Sequence, residues 1–171
     1  MGRVSQAQAQ ENRKRIVETA ARLFRERGVA GVSVADVMAV VGLTHGGFYK
    51  QFASKEALVA EAVGQAFTET AGRYRDTARD EFLEQYLSPA HRDDPGAGCP
   101  AAGFGGELAH DGHEKAAVEA YAQGVDLYAR LLGDDLAAVA TLVGAMVLAR
   151  ATAGTEISGR ILDAARAALE G

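Results

Sequence analysis

Residues 13–58 read RKRIVETAARLFRERGVAGVSVADVMAVVGLTHGGFYKQFASKEAL, and this stretch decides the fold of the N-terminal part of the chain. Its opening predicts an amphipathic helix, because one set of apolar residues recurs at the 3.6-residue helical spacing: Ile16, Ala20, Leu23 and Phe24. Gly28 then ends the pattern as a C-terminal stop. Several arginines fall outside this apolar face: Arg13, Arg15, Arg22 and Arg25.

A second helix is predicted over residues 34–41. Ser33 precedes an apolar run and Asp36 follows three residues later, which is close in form to a capping box. Gly42 supplies the turn after this helix. The residues that the second helix is expected to bury are Val34, Val37, Met38 and Val41.

Thr44 is expected to cap a third helix that runs to about Phe52, and Ser54 a fourth. The third helix opens poorly on His45-Gly46-Gly47, because each glycine costs about 1 kcal/mol relative to alanine. Two glycines suit a surface that must approach something large. This arrangement is typical of a helix-turn-helix unit, in which the start of the recognition helix enters the major groove. The alternative is a plain three-helix packing unit with a flexible glycine turn.

The segments RIVETAARLFRERG, SVADVMAVVGLTHGGFYKQF and SKEAL resemble the N-terminal domain of the TetR/AcrR family of transcriptional regulators. The resemblance covers about residues 13–63. It implies a homodimer that binds double-stranded DNA at a palindromic operator and responds to a small-molecule effector. The family more often has lysine or arginine where His45 stands, so the base preference there is open. The residues expected to bind DNA are Ser33, Thr44, His45, Gly46, Tyr49, Lys50 and Lys55.

The charge is divided unevenly along the chain. Residues 1–60 hold nine Lys/Arg and five Asp/Glu, a net charge of +4, whereas the whole chain carries −5 and residues 61–171 therefore −9. A basic head on an acidic body is expected to bind nucleic acid through the head only. A merely solvated helix face would explain the arginines of the first helix but not this asymmetry.

Composition predicts an all-α chain of about nine helices, because no alternating run of β-branched residues occurs in its 171 residues. We expect a disordered tail at 1–9, the helix-turn-helix domain at 10–54 and a helical effector-binding and dimerisation domain at 55–171. The polar N-terminus lacks a signal-peptide pattern and the single cysteine excludes an intrachain disulfide, which together fit a cytoplasmic protein. The chain carries no nucleotide-binding or catalytic-triad motif, so no catalytic residue, metal or cofactor is expected.

The predicted domain at 55–171 holds six helical segments, over 55–79, 81–87, 99–110, 114–132, 136–149 and 158–169. The segment HRDDPGAG at 91–98 is expected to be a loop, because it is built from proline, glycine and aspartate.

The helix over 136–149, LAAVATLVGAMVLA, is apolar around most of its circumference but shorter than the roughly 20 residues that span a bilayer. It lies where the resembling family builds its dimer, although a central core helix of a monomer has the same composition. The expected interface consists of Val139, Val143, Met146, Val147, Ile161 and Leu162.

The effector is expected to be a small, mostly apolar molecule, because the candidate lining is aromatic with hydroxyl groups. These residues would equally suit a packed core. The lining candidates are Phe67, Tyr74, Phe82, Tyr86, Cys99, Phe104, Tyr121, Tyr128 and Met146. Cys99, at a predicted helix start, is either a thiol sensor of reactive compounds or a buried packing residue.

The predicted function is a dimeric transcriptional regulator, most simply a repressor, released by a small molecule or a thiol-reactive signal. Two other classes stay open. Glu107 and His110 form a single E-x-x-H pair of the kind used by helical-bundle metalloenzymes, which need two such pairs. A protein-interaction module without DNA affinity is the other alternative.

Overall fold

A computed structural model describes residues 6–110, 112 and 114–170, which form ten helices and no strand. The head consists of α1 to α3 and the body of the remainder, with α4 joining the two. The helices are α1 (Gln6–Arg27), α2 (Val34–Val41), α3 (His45–Phe48), α4 (Lys55–Tyr74), α5 (Arg79–Tyr86), α6 (Pro89–Asp93), α7 (Pro100–Leu108), α8 (Lys115–Leu131), α9 (Leu136–Ala151) and α10 (Glu156–Leu169).

The described part of the chain has one helix more than the nine predicted. The additional helix is α6, whose residues 91–93 had been assigned to a loop. Ser88 caps it by accepting a hydrogen bond from the His91 amide at 3.2 Å, and Pro89 stands in the first turn. A proline at this position loses nothing by lacking an N–H, and its fixed φ favours the helix. Only residues 94–98 of the expected loop are non-helical.

The expected tail is also partly helical. Residues 6–9 belong to α1, since alternating glutamine and alanine are good helix formers that extend an existing helix; residues 1–5 lie outside the described part of the chain. The third helix is shorter than predicted. It ends at Phe48, whose carbonyl oxygen accepts the amides of both Gln51 (2.8 Å) and Phe52 (3.0 Å) in a turn. Thr44 stands at its N-cap without a side-chain capping bond.

The head is built around the predicted apolar face of α1, which is fully buried. Val37, Met38 and Val41 of α2 pack against it, whereas Val34 is only half-buried. Gly42 ends α2 at φ +75°, the left-handed conformation that favours glycine. Phe48 stacks on Phe52 at a ring-centroid distance of 5.3 Å. These contacts hold the short glycine-rich α3 in place.

The body is organised by the packing of α4 along α8. Gly124 on α8 faces the ring of Phe67 on α4, and a Cβ at position 124 would lie 2.2 Å from that ring. The missing side chain therefore sets the distance between the two helices. Phe67 is itself 1% exposed, so it has little room to yield.

At the other end of the body, α9 and α10 form an antiparallel pair joined through Ser158. Its hydroxyl is fully buried, donates to the Ala149 carbonyl at 2.7 Å and accepts from Arg92 at 2.9 Å. In the described part of the chain no single helix is long and apolar enough to cross a membrane, although α8 and α9, joined at a 110° bend, would reach that length and apolarity together.

Gly124→Ala is expected to lower the free energy of unfolding by about 1–3 kcal/mol, because the added methyl group overlaps the Phe67 ring. Gly64→Ala, on α4, is the matched control. A Cβ there meets nothing within 4 Å, so the better helix propensity of alanine should raise stability by about 0.5–1 kcal/mol. Urea titration measures the free energy of unfolding of both variants. Equal changes in this free energy for Gly124→Ala and Gly64→Ala would contradict this account of α4–α8 packing.

Candidate nucleic-acid interface

The entry into α2 is fixed by a reciprocal capping box. The Ser33 amide donates to the Asp36 carboxylate at 2.8 Å, and the Asp36 amide donates to the Ser33 hydroxyl at 3.1 Å. Hydrogen bonds from the Ser33 side chain and backbone lower the pKa of Asp36 below its ordinary value. The predicted start of α2 is confirmed, and Ser33 is occupied in holding it.

The α3 surface presents five of the seven predicted DNA-binding residues together. Phe48 is buried and anchors α3, whereas the opposite face is exposed to solvent. The space around Gly46 is open, since an added Cβ would meet nothing within 4 Å. Tyr49 is 62% exposed, and its ring touches those of His45 and Phe48 edge-on. The exposed set is Thr44, His45, Gly46, Tyr49 and Lys50.

Lys55, at the start of α4, is half-buried and its ammonium donates to the Val29 carbonyl at 2.6 Å. The α1–α2 loop is thus tied to α4. An ammonium has three donors, so this bond leaves two of them for another partner.

Several head arginines serve the fold. Arg13 reaches the Gln51 carbonyl and Glu61, and its guanidinium lies 4.1 Å from the centroid of the Phe52 ring. Arg15 donates to the Val41 carbonyl at 2.8 Å. The positive charge of the head is therefore partly used internally.

Arg25 differs most from the sequence pattern, which placed it outside the apolar face of α1. It is buried at 8% exposure, because the body covers this end of the helix. Its guanidinium donates to the carbonyls of Ala21 (3.0 Å) and Gly98 (3.3 Å). Burial lowers the pKa of Arg25 below its ordinary value. Helical periodicity gave no sign of this contact, because the partner lies 73 residues away.

A second contact between head and body is made by Glu107 of α7. Its carboxylate accepts hydrogen bonds from the amides of Val29 (2.6 Å) and Ala30 (3.3 Å) in the α1–α2 loop. Gly28, at φ +76°, allows this approach, since a Cβ there would lie 3.1 Å from the carboxylate. We call these bonds the Glu107 latch. The residues of the latch line a cleft of about 360 Å³, together with Lys55 and Glu114.

The Glu107 latch contradicts the metal-ligand alternative for Glu107 and His110. The Glu107 oxygens are engaged with backbone amides, and His110 is exposed. Within the described residues no three His, Cys, Asp or Glu side chains are grouped as metal ligands would be.

The predicted effector-lining residues lie together in the body, but most are packed in its core. Phe67 also borders a groove between α4 and α8, and Tyr74 borders a cleft beside α6. Tyr121 is half-buried and donates to the Ala101 carbonyl at 2.9 Å. Eight of the nine predicted lining residues are buried, with 7% exposure or less: Phe67, Tyr74, Phe82, Tyr86, Cys99, Phe104, Tyr128 and Met146. Cys99 stands at the N-cap of α7, where its sulfur accepts the Ala102 amide at 3.4 Å.

The predicted dimer residues divide into two groups. Val139, Met146 and Leu162 face the core of the protomer and were wrongly assigned to a surface, because a helix that is apolar all round does not reveal which side is inward. Val143 and Ile161 are half-buried and Val147 is exposed. We define the α9–α10 seam as the outward apolar stripe of both helices: Ala140, Val143, Gly144, Val147, Ala151, Ile157, Ile161 and Ala164. Ile157, 43% exposed, was missed by the sequence analysis.

Comparison with known proteins agrees with this architecture. Residues 16–62 match the sequence profile of the family described as bacterial regulatory proteins, tetR family. The chain is 42% identical over 89 residues to the probable HTH-type transcriptional regulator ArpR of Pseudomonas putida, which covers 52% of this chain and 40% of that protein. The N-terminal segment of the chain, residues 16–62, thus matches the TetR family.

Two solved structures and a second relative extend the comparison. The HTH-type transcriptional repressor DhaR of a Mycobacterium species is 29% identical over 102 residues, covering 56% of this chain and 52% of that one. The chain thus spans about half the length of the relatives that it matches. The crystal structure of reduced E. coli NemR superposes with a TM-score of 0.74 at 18% identity, over 94% of this chain and 95% of that one. A regulator from Cytophaga hutchinsonii gives 0.73 at 21% identity, over 99% and 98%.

The matched TetR segment contains α2, α3, the Ser33–Asp36 capping box and the start of α4. Arg25 and the Glu107-bonded loop also lie within it, while their partners Gly98 and Glu107 lie outside. The described residues form an all-helical fold, and the structural neighbours cover nearly the full length of the chain.

Glu107→Gln is expected to loosen the head from the body. An amide retains one acceptor oxygen but turns an N–H₂ toward the loop amides, so about 1.5–3 kcal/mol of charge-assisted hydrogen bonding should be lost. Hydrogen exchange at Val29 and Ala30 should accelerate. Glu114→Gln, at an exposed residue of the same cleft, is the control and should leave exchange unchanged. Unaltered protection in Glu107→Gln would show that the latch does not hold the loop.

Proposed function

We propose that this chain is a homodimeric transcriptional repressor that binds a palindromic operator through α3 and is released by a small molecule. The observation that carries the proposal is the exposed α3 surface, with open space at Gly46, on a buried Phe48 anchor. Relatives in the matched segment are named as transcriptional regulators or repressors, among them DhaR and KstR2.

In the proposed complex α3 lies in the major groove. Gly46 and Thr44 approach the base edges because no bulky side chain keeps the backbone away. Tyr49 and Lys50 contact phosphate from the end of α3, and Lys55 adds a phosphate contact with the donors left free by Val29. Ser33 supports the site by capping α2, and from its exposed position it contacts the DNA backbone. His45 faces the bases and contributes to sequence preference.

Electrostatics favour an orientation with the head on DNA and the body away from it. The head carries +4 and residues 61–171 carry −9, so phosphate attracts one part and repels the other. Because the proposed partner is the genome, we place the protein in the cytoplasm.

The homodimer forms through the α9–α10 seam. Leu148 and Leu136, 56% and 60% exposed, flank an outward apolar stripe whose alanines and glycine permit close helix approach. Two-fold pairing of two helices from each protomer makes a four-helix bundle. The two α3 helices can then read a palindrome if they stand about 34 Å apart, one turn of DNA.

Release by a ligand follows from the position of α4, which begins beside the α1–α2 loop and packs along α8 in the body. A ligand that prefers a displaced α4 would shift the heads out of register with the operator, to the extent of that preference. Full burial of Cys99 favours a reversible ligand over a thiol reagent as the signal. A thiol sensor would require fast alkylation of the native protein.

The other functional classes lack support. The metalloenzyme depends on Glu107, which is engaged in the latch, and the named relatives are regulators. A pure protein-interaction module predicts no DNA retention at low salt. Selection of bound sequences from random DNA separates these possibilities, because a recovered palindrome supports both operator recognition and the two-fold dimer, and no enrichment would overturn the proposal.

Lys50→Ala should weaken binding to all DNA sequences alike and flatten the dependence of log K on log salt by about 0.9 per protomer, since one phosphate contact is lost. Tyr49→Phe should weaken binding without changing that slope. Lys55→Ala should flatten the slope by the same amount as Lys50→Ala. Lys115→Ala, at an exposed lysine of α8 paired with Glu119, is the control and should leave the slope unaltered. A wild-type slope in Lys50→Ala would remove Lys50 from the interface.

Val143→Arg should yield monomers or insoluble protein, because pairing across the α9–α10 seam would bury a charge without a partner. Val118→Arg is the matched control, since Val118 is 45% exposed on α8 outside the seam and should remain dimeric. Sedimentation equilibrium distinguishes the two. A well-folded Val143→Arg dimer would contradict the seam assignment.

A further inference from the structure

Two tyrosine hydroxyls in the body are buried without a hydrogen-bond partner among the described residues. Tyr86 is 0% exposed and Tyr128 is 2% exposed, and neither hydroxyl finds a suitable donor or acceptor. Cys99 lies near both hydroxyls and Thr70 near that of Tyr128, but a thiol is a weak acceptor and the Thr70 hydroxyl already donates to the Ala66 carbonyl at 2.9 Å. Buried polar groups are nearly always satisfied in native proteins, so two adjacent exceptions call for an absent partner.

The surroundings of these hydroxyls are apolar and positively charged. Phe67 packs edge-on to Tyr128 at 5.3 Å, and Phe82 lies against Tyr86 at 5.5 Å. Two partly or fully buried arginines interact electrostatically with these tyrosines, Arg25 with Tyr128 and Arg150 with Tyr86, and Arg25 also feels the charge of Glu69. Both arginines donate to backbone carbonyls, and neither makes an ion pair within the described residues. Burial raises the pKa of both tyrosines well above the ordinary value, so their hydroxyls stay protonated donors.

We infer that the hydroxyls of Tyr86 and Tyr128 are the polar end of the effector site and donate to the carboxylate of a small, mostly apolar organic acid. Two donors and two unpaired cations complement one anionic oxygen pair, and the surrounding rings complement an apolar body. The inference rests on the proposed release by a small molecule and specifies its chemistry.

The groove between α4 and α8 supplies the route to this site. Its volume is about 420 Å³, and Phe67 forms its inner wall. The same ring packs against Tyr128 at 5.3 Å, so on the proposed route an entering ligand displaces it. Because Gly124 leaves no side chain opposite Phe67, the ring fills the contact between the helices. Moving it would shift α4, the helix that leads to the head.

The test is calorimetric titration of the full chain with benzoate, acetophenone and ethylbenzene. All three probes have an aromatic ring. Benzoate carries a carboxylate, acetophenone a neutral acceptor oxygen, and ethylbenzene no acceptor. Benzoate should bind most tightly, and Tyr86→Phe or Tyr128→Phe should each weaken it at least about tenfold. Tyr121→Phe is the comparison for loss of a satisfied hydroxyl, because its hydroxyl already donates to Ala101, and it should weaken benzoate binding less than either of the other two variants.

Thermal unfolding without ligand provides an independent readout. Tyr86→Phe and Tyr128→Phe should unfold at or above the wild-type temperature, because each removes an unsatisfied hydroxyl, whereas Tyr121→Phe should unfold lower. Unchanged benzoate affinity in both variants, equal binding of acetophenone, no benzoate binding, or failure of either variant to fold would overturn the inference. Operator binding by the ligand-free proteins is measured separately, so its absence would overturn the proposed function instead.

Discussion

The rest of the structure depends on the close packing of α4 against α8 at Gly124 and Phe67. The first turn of α4 belongs to the head, where Lys55 ties it to the α1–α2 loop, and its remainder lies in the body. Any change in the distance between α4 and α8 therefore reaches the head directly. The glycine makes room for a fully buried ring and leaves no empty space beside it, so this contact sets the distance between the two helices.

Two further polar contacts join the head to the body. Arg25 reaches from α1 to the Gly98 carbonyl, and Glu107 accepts the amides of Val29 and Ala30. Gly98 precedes Cys99 at the start of α7, and Glu107 lies near the end of the same helix. A displacement of α7 would therefore be felt by both contacts together. These two contacts at the ends of one helix would therefore couple the proposed movement of the body to the head.

The body retains polar groups that packing alone does not explain. The Tyr86 and Tyr128 side chains carry hydroxyls that the core does not satisfy, and Arg25, which interacts electrostatically with Tyr128, donates to backbone carbonyls. A core selected for stability alone would place phenylalanine at these positions. Departures of this kind are expected where a protein retains groups for a function instead of for packing. The seam of α9 and α10 is a comparable case, since its exposed apolar side chains gain from a second copy.

Local sequence determined the head. The Ser33–Asp36 box, the left-handed turn at Gly42 and the apolar face of α1 were predictable, because caps, turns and helical period depend on residues within about two turns of each other. The sequence also separated the basic head from the acidic body. Tertiary structure decided the rest. It buried Arg25, bound Glu107 to the head instead of to a metal, and turned Val139, Met146 and Leu162 inward on helices that are apolar on several sides. These outcomes depend on partners 70 or more residues distant or on the choice between equally apolar faces, and no local pattern encodes either.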